Sequence, residues 1–250
     1  MLCPDPRAAG ARAGLALSST SQKLILFDPV AARNSRMRRG VVGAAKLVES
    51  GLQDAGARYR AAMLLLTYDP RNSWSHLHIA VFFDHLRKYC RRHHGWVLPY
   101  VWKFECGAGG NLHYHVLLWL PRGVTLPKPD KQGWWPHGFT SIRWARNPVG
   151  YIAKYCGKDQ LGQFPLGARL WGSGGLNAVQ RALLVWRLAP RWLRDRVPEG
   201  SRLVRRAGGW WDNTTSRIRY RSPWMLSSVF GGLGFNVVWR GWSVDDVSFY

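Results

Sequence analysis

Apolar positions along this 250-residue chain follow two periods, and the switches between them mark its elements. The run Ala61-Ala-Met-Leu-Leu-Leu-Thr-Tyr68 is continuously apolar, as in a buried strand, and Asp69-Pro70-Arg71-Asn72 after it supplies turn chemistry. Helical spacing follows, with Leu77, Val81, Phe82, Leu86 and Tyr89 on one stripe and Ser73 or Ser75 as cap. Val97 to Glu105 and Leu112 to Leu120 read as two more strands, joined through the hairpin connection Gly107–Asn111. Phe139–Trp144 is a further strand. Asn147-Pro148 then starts a helix, with Asn as N-cap and Pro at the first helical position, and this helix carries Tyr151 and Tyr155 before Gly157 weakens it. From Asn177 a second helix runs through Val179, Leu183, Leu184 and Leu188 to Ala189, and Phe235–Trp239 is strand-like.

These patterns divide the chain in three. Residues 1–58 are rich in Ala, Gly, Ser and Arg, with a basic cluster at Arg33, Arg36, Arg38 and Arg39. They are expected to form a mobile basic arm with one short helix near Val41–Leu52; a tail serving solubility alone is the other reading. Residues 59–175 form the ordered domain, and 176–250 a Trp/Arg-rich extension, helical and then strand-like. The longest charge-free run, between Arg221 and Arg240, contains Pro223, three glycines and Asn236, so it reads as buried strand and turn and not as a membrane span.

Composition narrows the partners. With 46% hydrophobic residues a core is available, and 36 Lys and Arg against 14 acids give a formal charge of +22. Such a balance points to a polyanion, nucleic acid ahead of an anionic membrane, and fifteen tryptophans among arginines suit stacking on unpaired bases. A ribosomal-type protein would share the charge. The four cysteines lack C-x-x-C spacing and no secretory signal is evident, so reduced thiols in a cytoplasmic protein are expected. No G-x-x-x-x-G-K-[ST] occurs, so an ATPase motor is not indicated.

The most informative stretch is Asn111-Leu-His-Tyr-His-Val-Leu-Leu-Trp119. His113 and His115, two apart on a strand, share one face, and a hairpin lets Glu105 approach His113. Two imidazoles and a carboxylate leave coordination positions open for water and a phosphate oxygen, which suits Mg²⁺ or Mn²⁺. Ordinary polar residues on a half-exposed strand would look the same. His137 reads as a loop histidine. A non-haem iron oxygenase uses similar ligands, and a cupin would want an acid where Val116 to Trp119 stand; neither accounts for the charge or for the tyrosines. Tyr151 and Tyr155 lie at i and i+4 on one helix face, each followed three residues later by a lysine, Lys154 and Lys158. A phenol titrates near 10, and a neighbouring ammonium favours the phenolate and can steady a phosphate. A core helix with solvated lysines is the alternative.

Together these residues resemble the HUH endonucleases (His-hydrophobic-His), in particular the two-tyrosine rolling-circle replication initiators of small single-stranded DNA phages and some plasmids. His113-Tyr114-His115 is similar to the name-giving motif, with the only partly apolar Tyr114 in the middle. Leu64–Tyr68 looks like the first motif, Gly150-Tyr-Ile-Ala-Lys-Tyr-Cys-Gly-Lys158 is the most specific match, and Glu105 stands where a third metal ligand is often found. The likeness spans about Met63 to Lys158.

The resemblance implies an α+β HUH nuclease domain, a central antiparallel β-sheet flanked by helices (RRM-like, or palm, topology). Its implied site is Tyr151, Tyr155, Lys154 and Lys158 acting on DNA, with a divalent metal, Mg²⁺ or Mn²⁺, on His113, His115 and Glu105. It implies nicking of single-stranded origin DNA, a 5′-phosphotyrosine link, later rejoining, and a separate host helicase and polymerase in a bacterial cytoplasm. Arg143, Arg146, Arg202, Arg205 and Arg206 are candidate DNA contacts, although the last three equally suit a solvated basic loop. An HUH transposase or relaxase would use the same chemistry, and a non-enzymatic single-strand-binding protein would use the charge alone.

Overall fold

A computed structural model describes residues 25–107, 109–156, 164–207, 209–214, 218–228, 235–239 and 247–249. Its first elements are a short strand, β1 (Ile25–Phe27), and a 26-residue helix, α1 (Pro29–Asp54). The Asp28 carboxylate caps α1 by accepting from the amides of Val30 and Ala31, at 2.8 and 3.0 Å. Met37, Val41, Ala44, Ala45, Leu47 and Val48 of α1 are buried. The expected arm with a short helix at Val41–Leu52 is therefore, from residue 29 onward, an integral helix of the core. Gly40 is a contact requirement in it, because an added Cβ would collide with the Trp171 ring.

The strand signals lead to the central sheet. β2 (Tyr59–Thr67) is followed by helix α2 (His78–His94), then by β3 (Tyr100–Cys106), β4 (Leu112–Pro121) and β5 (Thr140–Ala145). Helix α3 (Pro148–Cys156) and strand β6 (Trp171–Gly174) complete this part. The sheet has the order β5-β2-β4-β3-β6, antiparallel at every pairing. The β3–β4 hairpin pairs Glu105 with His113 and Lys103 with His115, and β2 sets Thr67 opposite His113.

Alternation along the strands separates two cores. Even-numbered residues such as Leu64, Leu66, Trp102, Phe104, Tyr114, Val116 and Leu118 pack with Ile79, Phe82, Phe83 and Leu86 of α2. Odd-numbered Ala61, Met63, Val101, Leu117 and Trp119 pack with α1 and with Ile152 and Cys156 of α3. Each fully buried large apolar side chain contributes about 1.5–3 kcal/mol relative to exposure. The α2 stripe differs from the expected one. Leu77 and Val81 are exposed, and the buried set is Ile79, Phe82, Phe83, Leu86 and Cys90, its phase fixed by the adjacent phenylalanines. Ser75 receives the Leu77 amide, but α2 has no side-chain cap.

Beyond the sheet come α4 (Ala178–Leu188) and α5 (Arg191–Arg194), followed by β7 (Leu203–Arg206), β8 (Gly209–Asp212) and β9 (Ile218–Tyr220). Asn177 and Gln180 close a reciprocal capping box at the start of α4. The last strands are β10 (Trp224–Ser228), β11 (Phe235–Trp239) and β12 (Val247–Phe249). A second sheet runs β12-β9-β8-β7, and Leu203 of β7 is buried with Ala189, Leu193 and Val197. Residues 28–222 with 243–250 form one compact unit. In the other, residues 1–27 with 223–242, β1, β11 and β10 make a three-stranded antiparallel sheet. Among the described residues no helix is long and apolar enough to cross a membrane.

Candidate active site

The polar end of the odd-numbered face holds Thr67, Lys103, Glu105, His113 and His115, and α3 lies over it. Asn147 starts α3 as its sequence indicates: its side-chain oxygen accepts from the Gly150 amide at 2.9 Å. Gly150 keeps room for that cap, since a Cβ there would meet the Asn147 side chain at 2.7 Å. So anchored, α3 turns Tyr151 and Tyr155 to the same side. Their rings are 5.5 Å apart and their hydroxyls 3.4 Å. The Tyr155 ring stacks on His115, with centroids 3.9 Å apart and planes inclined by 23°.

Beneath Tyr155, His115 Nε2 and Glu105 Oε2 share a 2.5 Å hydrogen bond. His113 Nδ1 and Thr67 Oγ1 share another at 3.2 Å. Burial, helped by the neighbouring His115, moves His113 below the usual imidazole value, against the opposite pull of Glu105. Tyr155 is pushed up to about 12, mainly by its hydrogen bond with Tyr151 and then by burial and by the charge of Glu105; Arg143 acts in the opposite direction. At neutral pH this phenol is protonated, so activation as a nucleophile requires added positive charge nearby.

Lys103 was not among the residues singled out from the sequence. Its side chain is wholly buried, with Nζ 4.0 Å from Glu105 Oε2 and donating to the Tyr155 carbonyl at 2.5 Å. That carbonyl lies in the last turn of α3, where backbone oxygens lack intrahelical donors and carry the negative end of the helix dipole. Lys103 thus ties the tyrosine helix to the sheet. The signal was legible: Lys103 and Glu105 are two apart on a strand and must share a face. Buried Cys156 beside it is raised to about 11 by burial, which keeps it a neutral thiol.

The other candidates separate. Lys154 is exposed, and the cation acting on Tyr155 is Arg143, whose strand position opposite Met63 puts it on the odd-numbered face. Lys158 lies outside the described residues. Arg146, Arg202, Arg205 and Arg206 are exposed. Arg205 acts on Arg36 of α1, lowering its affinity for a proton after burial has done so, and this joins the β7 arginines to the α1 cluster. Arg38, Arg39 and Lys46 of α1 and Arg187 of α4 line a cleft of about 450 Å³ that also touches Ala153 of the tyrosine helix. His137 stacks on His78 at 3.6 Å, consistent with a loop histidine apart from the His pair.

Glu105, His113 and His115 are a donor set that suits a hard or borderline divalent ion, and the hairpin register puts them at neighbouring positions of one face. Among the described residues no group of three His, Cys, Asp or Glu is arranged to hold a metal ion as it stands. Binding one would replace the His115–Glu105 hydrogen bond by two bonds to the cation, with Thr67 orienting the His113 ring.

A family model for replication-associated proteins, of the ORF2 and gene II protein type, matches residues 61–160. The matched stretch runs from β2 past the end of α3 and contains Glu105, both histidines and both tyrosines. It is consistent with a rolling-circle replication protein, and leaves α1, α4 and the second sheet outside. No curated protein and no solved structure matches the chain.

Proposed function

We propose that this chain is a rolling-circle replication initiator, an HUH endonuclease of the two-tyrosine type, that nicks single-stranded origin DNA and later rejoins it. The observation that carries the reading is Tyr155 stacked on His115 with the Tyr151 hydroxyl beside its own. Two phenols standing over a histidine–carboxylate face have an obvious use in phosphoryl transfer. Family similarity over the same stretch supports replication as the setting.

In the proposed reaction a tyrosine Oη attacks the scissile phosphorus. The Oη–P bond forms as the P–O3′ bond breaks, the phenol proton leaves to solvent, and the departing 3′ oxygen takes up a proton. The products are a free 3′ hydroxyl and a 5′-phosphotyrosine, so the phosphodiester energy is kept for rejoining. The second phenol permits a further transfer before the DNA end is released. Glu105, His113 and His115 would hold Mg²⁺ or Mn²⁺, which when bound polarises the scissile phosphate and stabilises its developing charge. Arg143 favours the phenolate, and Lys103 fixes the height of α3 above the face. Lys154 and Lys158 would steady phosphates flanking the scissile bond. Arg146 and the α1–β7 arginines (Arg202, Arg205, Arg206) would carry the flanking origin DNA. Unwinding and synthesis would fall to a separate helicase and polymerase.

The test is a denaturing gel of the full chain with labelled single-stranded DNA from its own replicon, in Mn²⁺, in Mg²⁺ and in chelator. Metal-dependent scission with label held on the protein supports the reading. Binding that leaves that DNA intact in both metals overturns it.

A further inference from the structure

The reverse, even-numbered side of the sheet carries two adjoining cavities that the tyrosine chemistry does not use. One, of about 620 Å³, is lined by Arg87, Lys88 and Arg91 of α2, by Arg181 of α4 and by Trp96, with Asp84 as its one acid. The other, of about 240 Å³, is walled by aromatic rings, among them Trp74, Tyr100 and Trp102, with Arg169 at its border. Arg87 lines both, so α2 forms one wall of a continuous track. Its residues 80, 84, 87 and 91 recur every three or four positions and therefore share a face.

The walls are built. Phe83 and Tyr100 stack at 3.8 Å, and the Trp74 indole donates to Tyr114 Oη at 3.0 Å. Arg181 is fixed by donating to the Leu176 carbonyl at 2.6 Å. Asp84 pairs with Lys88 at 2.7 Å and touches Arg87 at 4.0 Å, so four cations face one carboxylate. Basic side chains along a groove beside an aromatic recess are what an unpaired strand needs: cations for successive phosphates and ring faces for a base. A duplex, its bases stacked inside, could use the cations and not the recess.

We infer that this track binds single-stranded DNA on the side of the sheet opposite the tyrosines, holding the strand that flanks or is displaced from the nick. The inference rests on the proposed function only in that this function brings single-stranded DNA to the protein; the contacts need neither metal nor tyrosine.

The experiment is fluorescence anisotropy of a labelled oligo-dT of about 20 nucleotides with the full chain, in chelator, over a series of NaCl concentrations. The variant is Lys88→Glu with Arg91→Glu, both on the exposed side of α2, with circular dichroism to confirm that it folds. Loss of two phosphate contacts should flatten the slope of log affinity against log salt by about 1.4, at about 0.7 per phosphate on a single strand. Affinity should fall tenfold or more, and 5-iododeoxyuridine in the probe should crosslink to Trp74 or Tyr100. An unchanged slope and affinity would overturn the inference, as would equal competition by a duplex of the same length. Nicking of origin DNA by the wild-type chain is read in parallel. Nicking with an unchanged slope sinks the track alone; a flattened slope without nicking sinks the tyrosine reading alone.

Discussion

The two faces of the central sheet are made by the same strands, alternate residue by alternate residue, and have opposite chemistry. Under α2 the even-numbered positions of β2, β3 and β4 are closed by aromatic and aliphatic packing, with Tyr114 the main polar intrusion and its hydroxyl held by Trp74. The odd-numbered face is apolar only where α1 covers it. Its other end buries Lys103, His115 and Thr67 and half-buries Glu105 and His113. A strand can thus hold its stability on one side and a reactive cluster on the other. Substitutions on the two faces should separate accordingly.

The largest effect should come from the odd-numbered face. Glu105→Gln or His115→Gln should lower nicking by at least about 100-fold, by analogy with the loss of one electrostatic stabiliser of a transition state. Their thermal unfolding should stay close to wild type; a collapse of the fold instead would mean that the cluster is structural. Phe104→Ala, one position away on the even-numbered face, should do the reverse. It should cost about 3–5 kcal/mol in urea unfolding, as large-to-small core changes do. Lys103→Met falls between the two. A well-packed apolar replacement of a buried ion is often neutral or better for stability, whereas loss of the α3 tether should slow nicking on the order of 10–100-fold through misplacement of Tyr155. Equal nicking by this variant would remove Lys103 from its positioning role.

Smaller effects sharpen the picture. Asn147→Ala should cost about 1 kcal/mol through loss of the α3 cap, read by thermal unfolding. The stacked His78–His137 pair makes the even-numbered side pH-sensitive. Both imidazoles are lowered, chiefly by burial, and His137 also by the charge of His78. The unfolded chain therefore takes up protons before the folded one does. Stability from this pair is full above about 6.5, the ordinary histidine value, and is lost as pH falls toward the depressed folded values. His137→Asn should flatten the melting-temperature profile between roughly pH 7 and 5; an unchanged profile would remove the pair as its cause.

Much of the site could be read from the chain because strands and helices transmit simple periods. His113 and His115 share a face by alternation, Tyr151 and Tyr155 by the helical repeat, and Asn147-Pro148 announced its helix. Glu105 was placed near His113 by the hairpin, and the register pairs them directly. The long α1 was missed because its buried side is built largely from Ala, Gly, Val and Met between arginines, so little hydrophobic contrast marks it. Lys103 was missed because a lysine is ordinarily solvated; its burial depends on the carbonyl of Tyr155, far along the chain. The same tertiary proximity, and no local spacing, makes Arg143 the cation acting on Tyr155 in place of Lys154.

The central claim is that the tyrosines of α3 carry the DNA. It is tested most directly by trapping the covalent adduct on single-stranded origin DNA, digesting it, and locating the nucleotide-bearing residue by mass spectrometry in wild type and in Tyr151→Phe/Tyr155→Phe. The account predicts a phosphodiester on Tyr151 or Tyr155 and no adduct in the double variant. An adduct that persists in the double variant, or one mapped to another residue, would contradict it.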